Sequence, residues 1–367
     1  MITLQGTYNT AKIFTNNIED SAVTQIEHLL EQEWMAESKI RIMPDVHMGM
    51  GCTIGTTMVI TDKLVPNLVG VDIGCGMETA ILKDKRIELQ KLDKVIQDFI
   101  PSGFNIRSTP HHYADEIDLS KLIIAKHVDL DRAYRSVGTL GGGNHFIEVD
   151  QDDTGKLYLV IHSGSRNLGK QVCDYYQNLA ADTLGRKGKG QDRVLAYLEG
   201  ENMQHYLHDM EIVQRYATIN RLAILREIEK RMKLKIEEQF TTIHNYIEHD
   251  TMILRKGAIS AKLEERVLIP INMRDGALIA MGKGNEDWNQ SAPHGAGRLM
   301  SREKAKDSIT LSEFTKSMKG IYSSSISKKT IDEAPFAYKP MEEIVDNIGD
   351  TVDIINHIKP LYNYKAN

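Results

Sequence analysis

Two hydrophobic periods run along this chain. Over 18–35, Ala22, Ile26, Leu29 and Leu30 recur at helical spacing and predict an amphipathic helix. "IELQKLDKVIQDFI" (87–100) has the same spacing, and "LGKQVCDYYQNLAADTL" (168–184) also reads as helical. A longer helix is predicted over 201–233, its apolar face carrying Tyr206, Met210, Val213, Ala217, Leu225, Ile228 and Met232. "KLYLVIHSG" (156–164) is instead a continuous apolar run ending at a glycine, the pattern of a buried strand. "RVLIPINM" and "ALIAMG" read as strands as well. The first 85 residues read as short strands around glycine turns with the single helix at 18–35. "GRKGKGQDR" (185–193) reads as a polar, basic, mobile loop. No internal repeat, heptad or low-complexity linker interrupts the chain. The expectation is a mixed α/β (α+β) fold with central sheets and surrounding helices, residues 1–367 forming a single large domain.

Composition narrows the class. The 367 residues are 41% hydrophobic and 26% charged, as in a globular protein. No apolar run approaches a membrane span, and the start, "MITLQGTYNTAKIF", lacks the form of a signal peptide. Three scattered cysteines, Cys52, Cys75 and Cys173, argue against a disulfide scaffold and for a reducing, cytoplasmic setting. A net charge of −6 leaves any nucleic-acid site to a local patch.

Five short segments set reactive side chains among small residues: "VDIGCGME" (71–78), "GGGNHFIEV" (141–149), "IHSGSRNLG" (161–169), "TTIHNYIEH" (241–249) and "SAPHGAGR" (291–298). Asp72, Cys75, His145, His162 and His244 offer a carboxylate, a thiolate and imidazoles. Five ligands exceed one tetrahedral zinc site and suit two metals if the thiolate bridges. Ligand softness leans toward zinc, while the carboxylate leaves room for manganese. Taken alone, each has a plainer reading: Cys75 as a small buried hydrophobe, His162 as a hydrogen-bonded core residue, His244 as a helix-surface residue. Cys52 and Cys173 read as structural. His294 sits against Gly295, Ala296, Gly297 and Arg298, where backbone amides and a guanidinium suit a phosphate. The basic run to Lys306 reads otherwise as a solvated helix end. Three glycines before Asn144 can present amides to phosphate oxygens. Glu148 can accept from the two adjacent N–H donors of guanine, a pair that adenine lacks; otherwise it is an exposed hairpin residue.

Together the segments resemble the RtcB family, the GTP-dependent RNA ligases of tRNA splicing and RNA repair. "MPDVHMGMGCTIG" (43–55), "DIGCGM" (72–77), "GTLGGGNHFIEV" (138–149), "HSGSRNLG" (162–169), "HNYIE" (244–248), "RKGAI" (255–259), "HGAGRLMSREKAK" (294–306) and "AYK" (337–339) occur in the family's order across most of the chain. The resemblance implies two manganese ions, one on Asp72, Cys75 and His145, the other on Cys75, His162 and His244, with Cys75 bridging. It makes His294 the residue guanylylated by GTP. It places Asn144, Asn245, Arg298 and the amides of 294–297 on phosphates, and Glu148 on guanine. Pro270, Asn272 and Met273 belong to the nucleotide loop, with Tyr338 and Lys365 closing over the nucleotide. Arg166 and Arg302 face RNA. Implied partners are GTP, RNA with broken ends (tRNA or rRNA) and an archease-like activator; no membrane is involved.

The chain departs from the family pattern in several places. "PINM" (270–273) stands where Pro-Gly-Ser-Met is common, Ala277 for a serine, Met50 for a lysine, Leu254 for a histidine and Asn167 for a glycine. These changes surround the nucleotide and RNA positions, not the metal set, and suggest a divergent branch. The alternative reading is a metal-dependent phosphohydrolase or phosphodiesterase acting on RNA ends. A non-catalytic RNA-binding protein is disfavoured by the acidic charge and the lack of aromatic-rich RNA modules.

Overall fold

The structure, a computed structural model, describes residues 1–186 and 192–366, and of Arg186 only the backbone. Most of the basic stretch at 185–193 lies outside the described residues. The fold is mixed α/β, as the periodicity predicts. A seven-stranded antiparallel sheet runs in the order Ile236–Ile243, Gly76–Leu82, Leu157–Ser163, Phe146–Gln151, Val352–Lys365, Gly276–Gly282, Arg266–Asn272. The strand Val352–Lys365 pairs along its first half with Gly276–Gly282 and along its second half with Phe146–Gln151. It joins the two parts of the sheet.

Both faces of the central strands are covered, which explains the continuous apolar run at 157–163. On one face Ile147, Val149, Leu159 and Ile161 pack with Leu92, Ile96, Leu225 and Ile228 of the helices Leu89–Phe99 and Gly200–Met232. On the other, Phe146, Tyr158 and Val160 pack with Leu268, Ile279 and Ile358. The long helix lies within a residue of the expected bounds, and Tyr206, Met210, Val213, Ala217, Leu225 and Ile228 are buried along it. The helix expected at 168–184 spans Arg166–Arg186 and buries Cys173.

A six-stranded sheet holds Ile2–Gln5, Thr10–Ile13, Ile40–His47, Ile54–Val59, Ile253–Lys256 and Tyr246–Glu248. Thr10–Ile13 and Ile40–His47 are parallel, so the chain must cross over between them, and the helix Asp20–Leu30 makes that crossing. This helix is shorter than the 18–35 pattern predicts. The Tyr8 N–H takes the Leu30 carbonyl, and the next residues close into the 3₁₀ turn Glu33–Met35, which buries Met35 without continuing the helix. Among the described residues no helix is long and apolar enough to cross a membrane. All three cysteines are free and buried.

Candidate metal centre and adjoining pocket

Four adjacent strands of the large sheet deliver four potential ligands to one end. Cys75 precedes Gly76–Leu82, His145 precedes Phe146–Gln151, His162 is next to last in Leu157–Ser163, and His244 follows Ile236–Ile243. Antiparallel neighbours alternate direction, so the starts of two strands and the ends of two others meet. Asp72 enters from the turn before Cys75, where Cys75 N–H donates to the Asp72 carbonyl at 3.2 Å. The glycines there answer to crowding. A Cβ on Gly74, at φ +69°, would lie 2.8 Å from Gln214 Cα, and one on Gly76 would lie 2.3 Å from the Thr242 carbonyl oxygen.

The donor atoms converge. Cys75 Sγ is 3.4 Å from His145 Nε2 and 3.3 Å from His162 Nε2, and His162 Nε2 is 3.3 Å from His244 Nε2. His145 Nε2 is 2.9 Å from Asp72 Oδ2. Two sets of three result, Asp72–Cys75–His145 and Cys75–His162–His244, sharing the cysteine. Three imidazole nitrogens and a thiol facing one another carry more lone pairs than protons. That chemistry fits divalent metal ions and is costly without them. His145 Nδ1 donates to the Leu140 carbonyl at 2.8 Å, which orients the ring so that Nε2 faces Asp72 and Cys75. Ser165 N–H donates to Asp72 Oδ1 at 2.9 Å.

Electrostatics support this reading. Burial pushes His162 and His244 well below the usual imidazole range, so both are neutral, the ligating form. Burial also opposes ionisation of Asp72, but its bond to His145 overrides that and holds the carboxyl well down. Burial and the Asp72 charge push the Cys75 thiol well up. Metal binding there must expel a proton. Arg221, planted by the long helix, donates to the Gly74 and Ser163 carbonyls at 2.8 and 3.0 Å and places its charge behind the sulfur.

His294 follows the short strand Ser291–Pro293, and its ring centroid lies 4.7 Å from that of His244. Its Nδ1 bonds Asp45 Oδ2 at 2.7 Å, and the Asp45 side chain is wholly buried. Asp45 comes from Ile40–His47 of the other sheet. With Nδ1 donating to that carboxylate, Nε2 keeps its lone pair, the arrangement of an activated nucleophile or base. A Cβ on Gly297, at φ +76°, would lie 2.4 Å from the Asp45 carbonyl oxygen, so only glycine lets the 294–297 turn approach this closely.

A pocket opens beside His294. Its lining includes Asn144, Glu148, Pro270, Asn272, Met273, Gly295, Ala296, Gly297, Arg298, Arg302, Tyr338 and Lys365. The fold brings these residues, scattered over the chain, to one pocket. Asn245 and Arg166 are not part of this lining. Asn245 binds the Gly257 N–H and donates to the Asp72 carbonyl. Arg166 packs under the glycine loop, donating to Thr139 Oγ1 and the Gly103 carbonyl. Arg302, expected toward RNA, lies in the pocket wall and is ion-paired with Asp332 and Glu333.

Several participants were not singled out from sequence. Asp45 and His47 lie inside the quoted "MPDVHMGMGCTIG" stretch, and only the fold shows their aim. Glu333 is buried and meets Lys365 at 2.7 Å, Tyr338 OH at 2.6 Å and Arg302. Burial would raise it, yet Lys365 and Arg302 hold it at about 2. Asn363 donates to Glu148 across the strand pair. Glu148 is itself buried rather than exposed. Burial pushes it up to about 7, and Asp150, two residues on, is pushed further by burial and by Glu148. One proton shared between the two carboxyls is the arrangement that burial favours.

In class, the site has the features of a metal-dependent enzyme: two candidate ligand sets sharing a cysteine, beside a pocket-lining histidine paired with a buried carboxylate. Comparison with known sequences carries this to a family. The family profile described as tRNA-splicing ligase RtcB matches residues 25–129 and 116–366. The chain is 30% identical to the RNA-splicing ligase RtcB of Escherichia coli K12, over 86% of this chain and 87% of that protein. It is 28% identical to the tRNA-splicing ligases RtcB of Aeropyrum pernix (83% and 82% covered) and Methanococcus maripaludis (84% of each). The chain belongs to the RtcB family.

Proposed function

We propose that this protein is a GTP-dependent RNA ligase. It joins RNA ends bearing a 3′-phosphate or a 2′,3′-cyclic phosphate to 5′-hydroxyl ends, in RNA repair or tRNA splicing. One observation carries the reading: His294 has its Nδ1 tied to buried Asp45, its Nε2 free, and its ring against one of the metal-capable histidines. A hydrolase that only activates water needs no such residue.

In the first step His294 Nε2 attacks the α-phosphorus of GTP. A P–N bond forms and the P–O bond to pyrophosphate breaks. Asp45 holds the imidazole in the correct tautomer and offsets the positive charge that develops on the ring. The 294–297 amides, Asn144, Asn245 and Arg298 hold phosphates, and Glu148 accepts from guanine. Pro270, Asn272 and Met273 flank the nucleotide, while Tyr338 and Lys365 cover it. GMP then passes to the RNA 3′-phosphate, breaking P–N and forming a pyrophosphate bond. The 5′-hydroxyl attacks this activated phosphate and GMP leaves. A cyclic end is first opened by water. Asp72, Cys75 and His145 would hold one manganese ion and Cys75, His162 and His244 another. Bound there, the ions supply charge neutralisation for the phosphates.

Arg166 belongs to the RNA side of this reading, Arg302 supports the wall of the nucleotide pocket through Asp332 and Glu333, and residues 1–367 act as one unit. Free buried cysteines support a cytoplasmic setting, and family membership supports RNA with broken ends (tRNA or rRNA) and an archease-like activator as partners. The test is an end-joining assay with 3′-phosphate and 5′-hydroxyl RNA, GTP and manganese. Joined product that requires GTP is expected. Loss of the 3′-phosphate without joining would favour the phosphohydrolase.

A further inference from the structure

Phe104 is 94% exposed, more than any other large apolar residue among the described ones. An isolated exposed phenylalanine needs no explanation; the backbone that carries this one does. Gly103 N–H donates to the Gly141 carbonyl at 2.6 Å, and Leu140 N–H donates to the Pro101 carbonyl at 2.9 Å. The loop is thereby stitched to the segment whose Leu140 carbonyl holds the ring of His145. Two arginines fasten the tip: Arg166 Nη2 donates to the Gly103 carbonyl and Arg132 Nη2 to the Phe104 carbonyl, each at 3.1 Å. Asn105 N–H closes the turn on the Ser102 carbonyl at 3.2 Å. The carbonyls of residues 103 and 104 are both taken by guanidinium groups, so the ring stands outward on a fixed base. Arg132 stays partly exposed beside it.

A solvent-facing aromatic ring on an anchored backbone, with a cation beside it, is the minimal apparatus for holding an unpaired nucleotide. Any base has a face to stack, and the neighbouring cation takes the phosphate. We propose that Phe104 is a stacking platform for an unpaired base of the RNA strand next to the broken end, with Arg132 on the adjoining phosphate. This rests on the RNA-ligase reading and extends it. Joining would then favour single-stranded or frayed ends over ends held in a duplex.

The test compares wild type with Phe104→Ala, Phe104→Leu and Phe104→Trp. Because the ring touches solvent, none of these changes removes core packing. Three quantities are read: labelling of the protein by GTP, KM and kcat for joining single-stranded RNA, and binding of a fluorescent single-stranded RNA by anisotropy. Phe104→Ala and Phe104→Leu are expected to weaken RNA binding and raise the RNA KM about tenfold. Labelling and saturated kcat stay unchanged, and Phe104→Trp restores binding. Joining at a nick within a duplex is expected to change little. Equal RNA affinity in wild type and Phe104→Ala would overturn the proposal. So would a Phe104→Leu variant as good as wild type, which would mark the contact as merely apolar. Anisotropy does not depend on catalysis, so a protein that binds RNA through Phe104 without joining it would fail the ligase reading alone.

Discussion

His294 and Asp45 are 249 positions apart in the chain and 2.7 Å apart in space. At the scale of single residues, that distance explains what a sequence can and cannot disclose. His294 announces itself through its glycine setting. Asp45 sits in an apolar strand, and nothing in its spacing points to a histidine so far away. Glu333 and Asn363 were hidden for the same reason: each acquires its role from a partner on another element. Glu148 stood out in the sequence as a candidate base-reading carboxylate, but its burial beside Asp150 did not. That burial has a consequence. Only ionised Glu148 can accept from both guanine donors, and its carboxyl titrates at about 7. The KM for GTP is therefore expected to fall about tenfold as pH rises from 6 to 8, since the ionised fraction grows over that interval. The KM for ATP, whose phosphates titrate alike, should lack this component, and Glu148→Gln should flatten the GTP profile. Steady-state labelling rates across pH would check it; a GTP profile that parallels ATP would remove Glu148 from base recognition.

The strand ends define the next scale. The amphipathic helices and buried strands could be read from periodicity because each face meets a continuous apolar partner. Strand order could not, and order is what makes the metal site. Cys75, His145, His162 and His244 converge because four neighbouring strands turn at one edge. Lys365, paired with Phe146, ends there too. The close turns at that edge tolerate little. A Cβ on Gly164 would lie 2.2 Å from Asp72 Oδ1. Gly164→Ala should displace Asp72 and weaken the Asp72–Cys75–His145 set by about 10- to 100-fold, leaving Cys75–His162–His244 near its original affinity. Calorimetric titration of the metal-free protein with manganese would show two classes of site, one of them weakened. Unchanged binding at both would mean that Asp72 is not a ligand.

Across the whole molecule, the two large sheets divide the chemistry. The seven-stranded sheet carries the metal-capable cluster, Glu148 and Lys365, and the six-stranded sheet carries Asp45 and His47. His294 lies where they meet. Three departures from the family pattern fall away from this junction, Met50 being exposed and Leu254 and Ala277 core residues, whereas the 270–273 loop lines the pocket beside His294. The central claim is that His294 carries GMP. Incubation with α-labelled GTP and manganese, followed by a denaturing gel, tests it most directly in wild type, His294→Ala and Asp45→Asn. A labelled wild-type band is expected, none with His294→Ala, and labelling slowed at least about a hundredfold with Asp45→Asn. A band of undiminished intensity in His294→Ala would contradict it.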